Sequence, residues 1–280
     1  MHRNILIEEI RNKNSYLCVG LDTDLNKIPA HLRTRPDAII AFNQQIIDAT
    51  KDLCVSYKIN TAFYEAMGVK GWEAMEATVN YIPSTHLKIA DAKRGDIGNT
   101  SSQYAKAFFE TLAFDAITVA PYMGEDSIRP FLEYENKWTI VLGLTSNKGA
   151  ADFELLKVYD QSSDSRSSDH YLYEKVITTI VGWGNTSNLM FVTGATQAAE
   201  LAAIRKIIPD HFLLVPGVGF QGGSLDEVSL HGMNNDIGLL VNASRAIIYA
   251  GAEENFAEEA KVIATQYQAE MKMYINRFKL

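Results

Sequence analysis

Short, almost unbroken apolar runs recur along the chain, and segments with helical periodicity separate them. The runs are YLCVGLD (16–22), CVSYKIN (54–60), LKIADAK (87–93) and AITVA (116–120), then WTIVLGL (138–144), LMFVT (189–193), FLLVPG (212–217) and GLLVN (238–242). Most are apolar at successive rather than alternate positions, which suits parallel strands covered on both faces. Segments such as AIIAFNQQIIDAT and TQAAELAAIRKII carry the helical repeat between them. Strand and helix alternating to the end predict an α/β fold with a parallel sheet. Eight such units in 280 residues favour a single-domain (β/α)8 TIM barrel spanning 1–280 over an open doubly wound sheet, since such barrels take about 250 residues.

Three segments lie outside that rhythm. MHRNILIEEIRNKN at the start places charges within any apolar stretch, so it reads as an amphipathic first helix and not as a secretory leader. Near the end, Phe256, Ala260, Ile263, Tyr267, Met271, Tyr274 and Phe278 recur in steps of three and four. That spacing draws one helical stripe, expected to close the outer ring as core filling. DQSSDSRSSD, 160–169, is polar and serine-rich, and a solvated insertion after the fifth strand is the simplest expectation.

Composition narrows the function classes. Hydrophobic residues at 47% and charged residues at 21% are a globular balance, and no run approaches the roughly 20 apolar residues of a membrane span. A formal charge of -8 argues against a broad nucleic-acid surface, though not against local capture of an anion. Cys18 and Cys54 each sit in an apolar run, as reduced core thiols do, which points to a reducing cytoplasm. The six histidines include no pair at the i, i+4 spacing of a helical metal site.

In such barrels the active site gathers at the C-terminal ends of the strands. Those ends carry Asp22, Lys58 with Asn60, Asp91 with Lys93, Thr145 with Ser146, and Asn242 through Arg245. The sharpest is IADAKRGDIGNTS. Asp91 and Lys93, two apart, would point the same way from an extended strand, and Asp96 follows beyond a turn at Gly95. Lys58 could join them from a neighbouring strand. Opposite charges a few ångströms apart keep one another ionised, and an ammonium held between carboxylates is a positioned proton donor for a developing carbanion. A salt-bridge network that merely ties strands together would use the same residues.

A second signal is phosphate capture. PGVGFQGGS follows the seventh run and NASRAI the eighth, the loops where many barrels hold a phosphate with backbone N–H groups and a helix start. Gly217, Gly219 and Gly223 would let backbone approach an anion, and Arg245 could add a two-pronged contact. Turn glycines and a surface arginine are the plainer reading. Gly217, Gly219 and Gly222 also spell a dinucleotide fingerprint, but only one strand remains downstream, so that reading fails.

With these residues in hand, the chain resembles the orotidine 5′-phosphate decarboxylases, in their longer bacterial form, from LCVGLDTDL to LLVNASRAIIYA. The Asp-x-Lys-x-x-Asp core alone is shared with sugar-phosphate decarboxylases. DAKRGDIGNTS together with YKINTAFYE, VAPYMGEDS, LTSNKG and PGVGFQGG is much more specific. The resemblance implies loss of CO2 from orotidine monophosphate to give uridine monophosphate, with no cofactor and no metal. It implies that Lys93 protonates C6 of the pyrimidine, with Lys58 and Asp91 completing the charged array. Asp96 and Thr100 would reach across a homodimer interface into the partner's site. Asp22 and Asn60 would lie near the ribose or the charged network, and either Thr145 or Ser146 would contact the pyrimidine. Pro216, Gln221, Ser244 and Arg245 would bind substrate, Gln221 and Arg245 as phosphate grips. Three rival functions fit a barrel of this kind. A metal-using sugar-phosphate enzyme would need acidic ligands where the second strand ends in Lys58. A Schiff-base aldolase would use Lys58 or Lys93 covalently, and a non-catalytic barrel would only bind a phosphorylated ligand.

Overall fold

The computed structural model describes residues 1–159, 169–195, 198–218 and 223–278. Among the described residues ten strands are formed: β1 Leu17–Gly20, β2 Ser56–Asn60, β3 Leu87–Arg94, β4 Ala116–Val119, β5 Trp138–Leu144, β6 Lys157–Tyr159, β7 Asp169–Tyr171, β8 Leu189–Thr193, β9 Phe212–Pro216 and β10 Leu239–Ala243. Eight of them close into a parallel barrel in the order β1-β10-β9-β8-β5-β4-β3-β2. The fold is therefore an α/β (β/α)8 TIM barrel, and all eight apolar runs supply its staves. Every residue of β1, β4, β8 and β10 is buried. Interior side chains shield one face and the helical ring the other, which is why these strands read as continuous apolar runs.

β6 and β7 pair antiparallel as a separate ribbon. The polar stretch after the fifth stave is thus flanked by paired strands: Asp169 opens β7, whereas 160–168 lie outside the described residues.

The first helix, Arg3–Lys13, buries Leu6, Ile7 and Ile10 and ends at Asn14 in the left-handed conformation (φ 48°). Its Arg3 donates to the carbonyls of Thr186 and Asp210 at 2.7 Å and pairs with Asp236 at 3.0 Å. Those partners precede β8, β9 and β10, so the helix fastens the barrel's N-terminal end, opposite the rim where chemistry is expected. The last helix, Phe256–Phe278, buries Phe256, Ala260, Ala264, Met271 and Ile275, with Ile263, Tyr267 and Tyr274 partly buried against the core. Phe278 departs from the expected stripe and is exposed, because the helix's last turn runs past the surface it covers. Among the described residues, no helix is long and apolar enough to cross a membrane.

Candidate active site

The C-terminal rim carries a chain of alternating charges. Lys58, the third residue of β2, is 4% exposed and donates to Asp22 Oδ1 at 3.1 Å and Asp91 Oδ2 at 2.9 Å. Lys93 Nζ donates to the other Asp91 oxygen at 2.5 Å. Burial alone would push the Lys58 ammonium down, but the charges of Asp22 and Asp91 outweigh it and hold the group above the ordinary lysine range. Burial would likewise raise Asp91, yet Lys58 and Lys93 hold its carboxyl down to about 2. Lys58 and Asp91 are therefore both ionised at neutral pH, and Lys58, enclosed between two carboxylates, is the fixed centre of the array. Lys93 sits at the open end with its side chain half exposed.

Local structure explains how each charge is aimed. Asp22 follows β1 on a loop pinned from two sides: Tyr64 OH donates to the Leu21 carbonyl at 3.0 Å, and Tyr249 OH donates to the Asp22 carbonyl at 3.1 Å. Tyr64 is itself held by the buried Asn43, whose amide donates to it at 2.8 Å while its carbonyl accepts from Thr23 at 2.6 Å. Asn60 ends β2 and accepts the Ala62 N–H at 3.3 Å, capping the helix Thr61–Glu65.

The spacing argument for Asp91 and Lys93 needs a correction. They do meet, but not from a regular strand. β3 pairs with β4 through Ala90↔Ile117 and then Arg94↔Val119, so two extra residues are accommodated on β3. Lys93 has φ 45°, in the left-handed region. This bulge re-aims the side chain, as strand irregularities beside active sites do. The buried Thr118 of β4 accepts the Lys93 N–H at 2.9 Å and donates to Asp91 Oδ1 at 3.2 Å.

Asp22, Lys58, Asn60, Asp91, Pro216, Ser244 and Arg245 line a single cavity, together with Gly217, Val218, Asn242, Ala243 and Ala246. Asp22, Lys58 and Asp91 of the charged array thus share one cavity with described residues of the two loops expected to grip phosphate. Gly217 has φ 94°, a conformation that favours glycine. Gly223 lacks a side chain for a different reason than anion approach: a Cβ there would lie 2.5 Å from Ala195 Cβ. Gln221, with Gly219 and Gly222, lies outside the described residues.

Five expected residues do not line the cavity: Lys93, at the exposed end of the array, and Asp96, Thr100, Thr145 and Ser146. Asp96 accepts the Ile97 N–H at 2.8 Å, and among the described residues no ion pair joins it to Lys58 or Lys93. Thr100 is exposed on the helix Gly98–Lys106. The Thr145 hydroxyl donates to Asn147 Oδ1 at 2.6 Å and to Glu154 Oε1 at 2.9 Å, and its N–H donates to Glu154 Oε2 at 2.7 Å. Ser146 packs instead against Gly194, where a Cβ would come within 2.6 Å of Ser146 Cβ.

Sequence reasoning passed over several positioning groups. Thr118 and Asn43 are ordinary members of apolar or helical runs, and Tyr64 and Tyr249 lie within YKINTAFYE and LLVNASRAIIYA without a role that the sequence assigns to them. Asn242 stood out only as a strand end; it is buried, its amide donates to Ser244 Oγ at 3.2 Å, and its carbonyl oxygen finds no partner among the described residues. No cluster of three or more histidine, cysteine or acidic groups able to hold a metal occurs among the described residues.

Comparison with known proteins gives a consistent result. The family model described as orotidine 5′-phosphate decarboxylase / HUMPS family matches residues 15–260. The chain is 55% identical over 274 residues to an orotidine 5′-phosphate decarboxylase of Bacteroides fragilis, covering 97% of each chain. It is 58% identical over 269 residues to that of Christiangramia forsetii, covering 95% of this chain and 96% of the other. Among solved structures, the orotidine monophosphate decarboxylase of Leishmania donovani superposes with a TM-score of 0.76 at 36% identity, covering 95% of this chain and 99% of that one.

Proposed function

Because the chain belongs to the orotidine 5′-phosphate decarboxylase / HUMPS family and is a carboxy-lyase of pyrimidine biosynthesis, we propose that it converts orotidine 5′-phosphate to uridine 5′-phosphate and CO2 by charge stabilisation from its own side chains, without a cofactor or metal. The observation that carries this reading is that Asp22, Lys58 and Asp91 line one cavity with Pro216–Val218 and Ser244–Arg245, while Asp91 also holds the Lys93 ammonium at the open end of the array. The C6–carboxylate bond breaks and its electron pair stays on C6. Lys93, whose ammonium is held beside Asp91, donates a proton to that carbon. A fixed cation in place before charge develops needs no reorganisation at the moment of reaction. General-acid help is worth about 10²–10⁴ in rate, so preorganised charge and remote phosphate binding supply the rest. Asp91 faces the departing carboxylate, with Lys58 holding Asp91 and Asp22 in place.

Arg245, Ser244 and the backbone at Gly217 grip the phosphate. Ser146 contacts the pyrimidine, because the Thr145 hydroxyl is already engaged by Glu154. Asp96 and Thr100 serve the site of a second copy in a homodimer. Supporting this, the rim beside them exposes Ile97, Tyr122, Met123 and Phe153, and Tyr122 and Phe153 share an apolar groove with Leu142 and Val176. Contiguous exposed apolar surface of this kind marks association. The whole chain acts as one catalytic domain in the cytoplasm, where the buried thiols Cys18 and Cys54 stay reduced.

The test follows the ultraviolet absorbance of orotidine 5′-phosphate with purified, chelator-treated protein and its Lys93→Ala variant. Wild type should turn over, and the variant should lose at least about 10²-fold in kcat while still binding uridine 5′-phosphate. Near-normal turnover by the variant would remove Lys93 from the chemistry, and an inactive wild type would overturn the function.

A further inference from the structure

We infer that Thr118 is a positioning residue for the decarboxylation, the hydroxyl that holds Lys93 in its bulged, left-handed conformation; this rests on the function proposed above. A lysine seldom adopts φ 45°, and such a backbone persists only where its surroundings over-determine it. Across the two-residue excess between Ala90 and Arg94, the ordinary β3–β4 ladder cannot satisfy the Lys93 N–H. Thr118, opposite the bulge on β4, does so with its side chain at 2.9 Å. The same hydroxyl donates a hydrogen bond to Asp91 Oδ1 at 3.2 Å, the carboxylate oxygen that accepts from the Lys93 ammonium.

One hydroxyl therefore fixes the lysine twice: once through its backbone and once through the carboxylate its ammonium grips. Its burial, 1% exposed, excludes water as a ready replacement. The far side of the bulge is held separately. Arg94 pairs with Glu65 and lies over the rings of Tyr104 and Phe108 at 5.4 and 5.3 Å. Loss of Thr118 alone should thus loosen Lys93 without releasing the strand. Among the described residues the Thr118 hydroxyl makes no hydrogen bond to the phosphate loops, so its effect belongs on the chemical step and not on binding.

Three variants test this: Thr118→Val, which keeps the volume and deletes both hydrogen bonds, Thr118→Ala, and Thr118→Ser. For each, kcat and KM are measured on orotidine 5′-phosphate, and the uridine 5′-phosphate dissociation constant is measured by calorimetry. Displacing a reacting group by about 1 Å costs on the order of 10²-fold in rate, so kcat should fall by about that factor in Val and Ala. The dissociation constant should stay within about three-fold, and Ser should restore kcat to within about five-fold of wild type, differences under about 1 kcal/mol. If Val does not fold, Ala is read against Ser in the same way. A Val or Ala variant that binds the nucleotide and keeps kcat within about two-fold overturns the inference, as does a Ser variant as impaired as Ala. Inactive wild-type protein would instead overturn the function itself.

Discussion

Replacing Asp91 with asparagine removes one charge and leaves the side-chain outline intact. In the wild type that carboxylate is held down to about 2 from an ordinary 3.8. At about 1.4 kcal/mol for each tenfold change in acidity, the depression amounts to roughly 2–3 kcal/mol of stability at neutral pH. Its side chain is only 12% exposed, so solvent screening removes little of this. The sign follows from the direction of the shift. The stabilisation is complete above about pH 5, where an unfolded aspartate is also ionised, and it is lost as pH falls through about 2. Roughly half is gone by about pH 3. Breaking a buried ion pair from one side costs about 3–5 kcal/mol, but Lys58 keeps Asp22 as a partner at 3.1 Å, which places the expected loss near the lower figure. Urea unfolding of wild type and Asp91→Asn should therefore differ by about 2–3 kcal/mol at about pH 7, with the gap narrowing by about 1 kcal/mol at about pH 3. A gap that does not change with pH would falsify the claim that the Asp91 charge, rather than its shape, stabilises the array. Equal stability at neutral pH would sink it outright.

Two further outcomes follow from the same geometry. In the proposed homodimer with Asp96 acting across the interface, mixing inactive Lys93→Ala and Asp96→Ala proteins should restore up to about a quarter of wild-type activity, because half of random dimers would be hybrids with one intact site; no recovery despite demonstrated subunit exchange would keep Asp96 within its own subunit. In Gly20→Ala the new Cβ would lie 1.9 Å from Ser244 Oγ and 2.8 Å from its Cβ, so Ser244 must move. Such overpacking costs about 1–3 kcal/mol, and uridine 5′-phosphate affinity measured by calorimetry should weaken about ten-fold or more; unchanged affinity would show that Ser244 takes no part in binding.

The hydrophobic pattern by itself determined the eight staves, because strands buried on both faces are apolar throughout and need no knowledge of their neighbours to be recognised. It also located Asp22, Lys58, Asp91, Ser244 and Arg245 as strand ends, and a parallel barrel brings all such ends to one rim. What stayed out of reach depends on contacts between residues far apart in the chain. Thr145 and Ser146 looked equivalent until Glu154 was seen to occupy one hydroxyl. Gly223 resembled an anion-binding glycine until Ala195 was found against it. Lys93 and Asp91 are two apart in the sequence, but the left-handed turn that brings the ammonium onto the carboxylate is set by a hydroxyl on the next strand. Residue order specifies which groups reach the rim; only side chains packed from neighbouring strands specify the direction in which each one points.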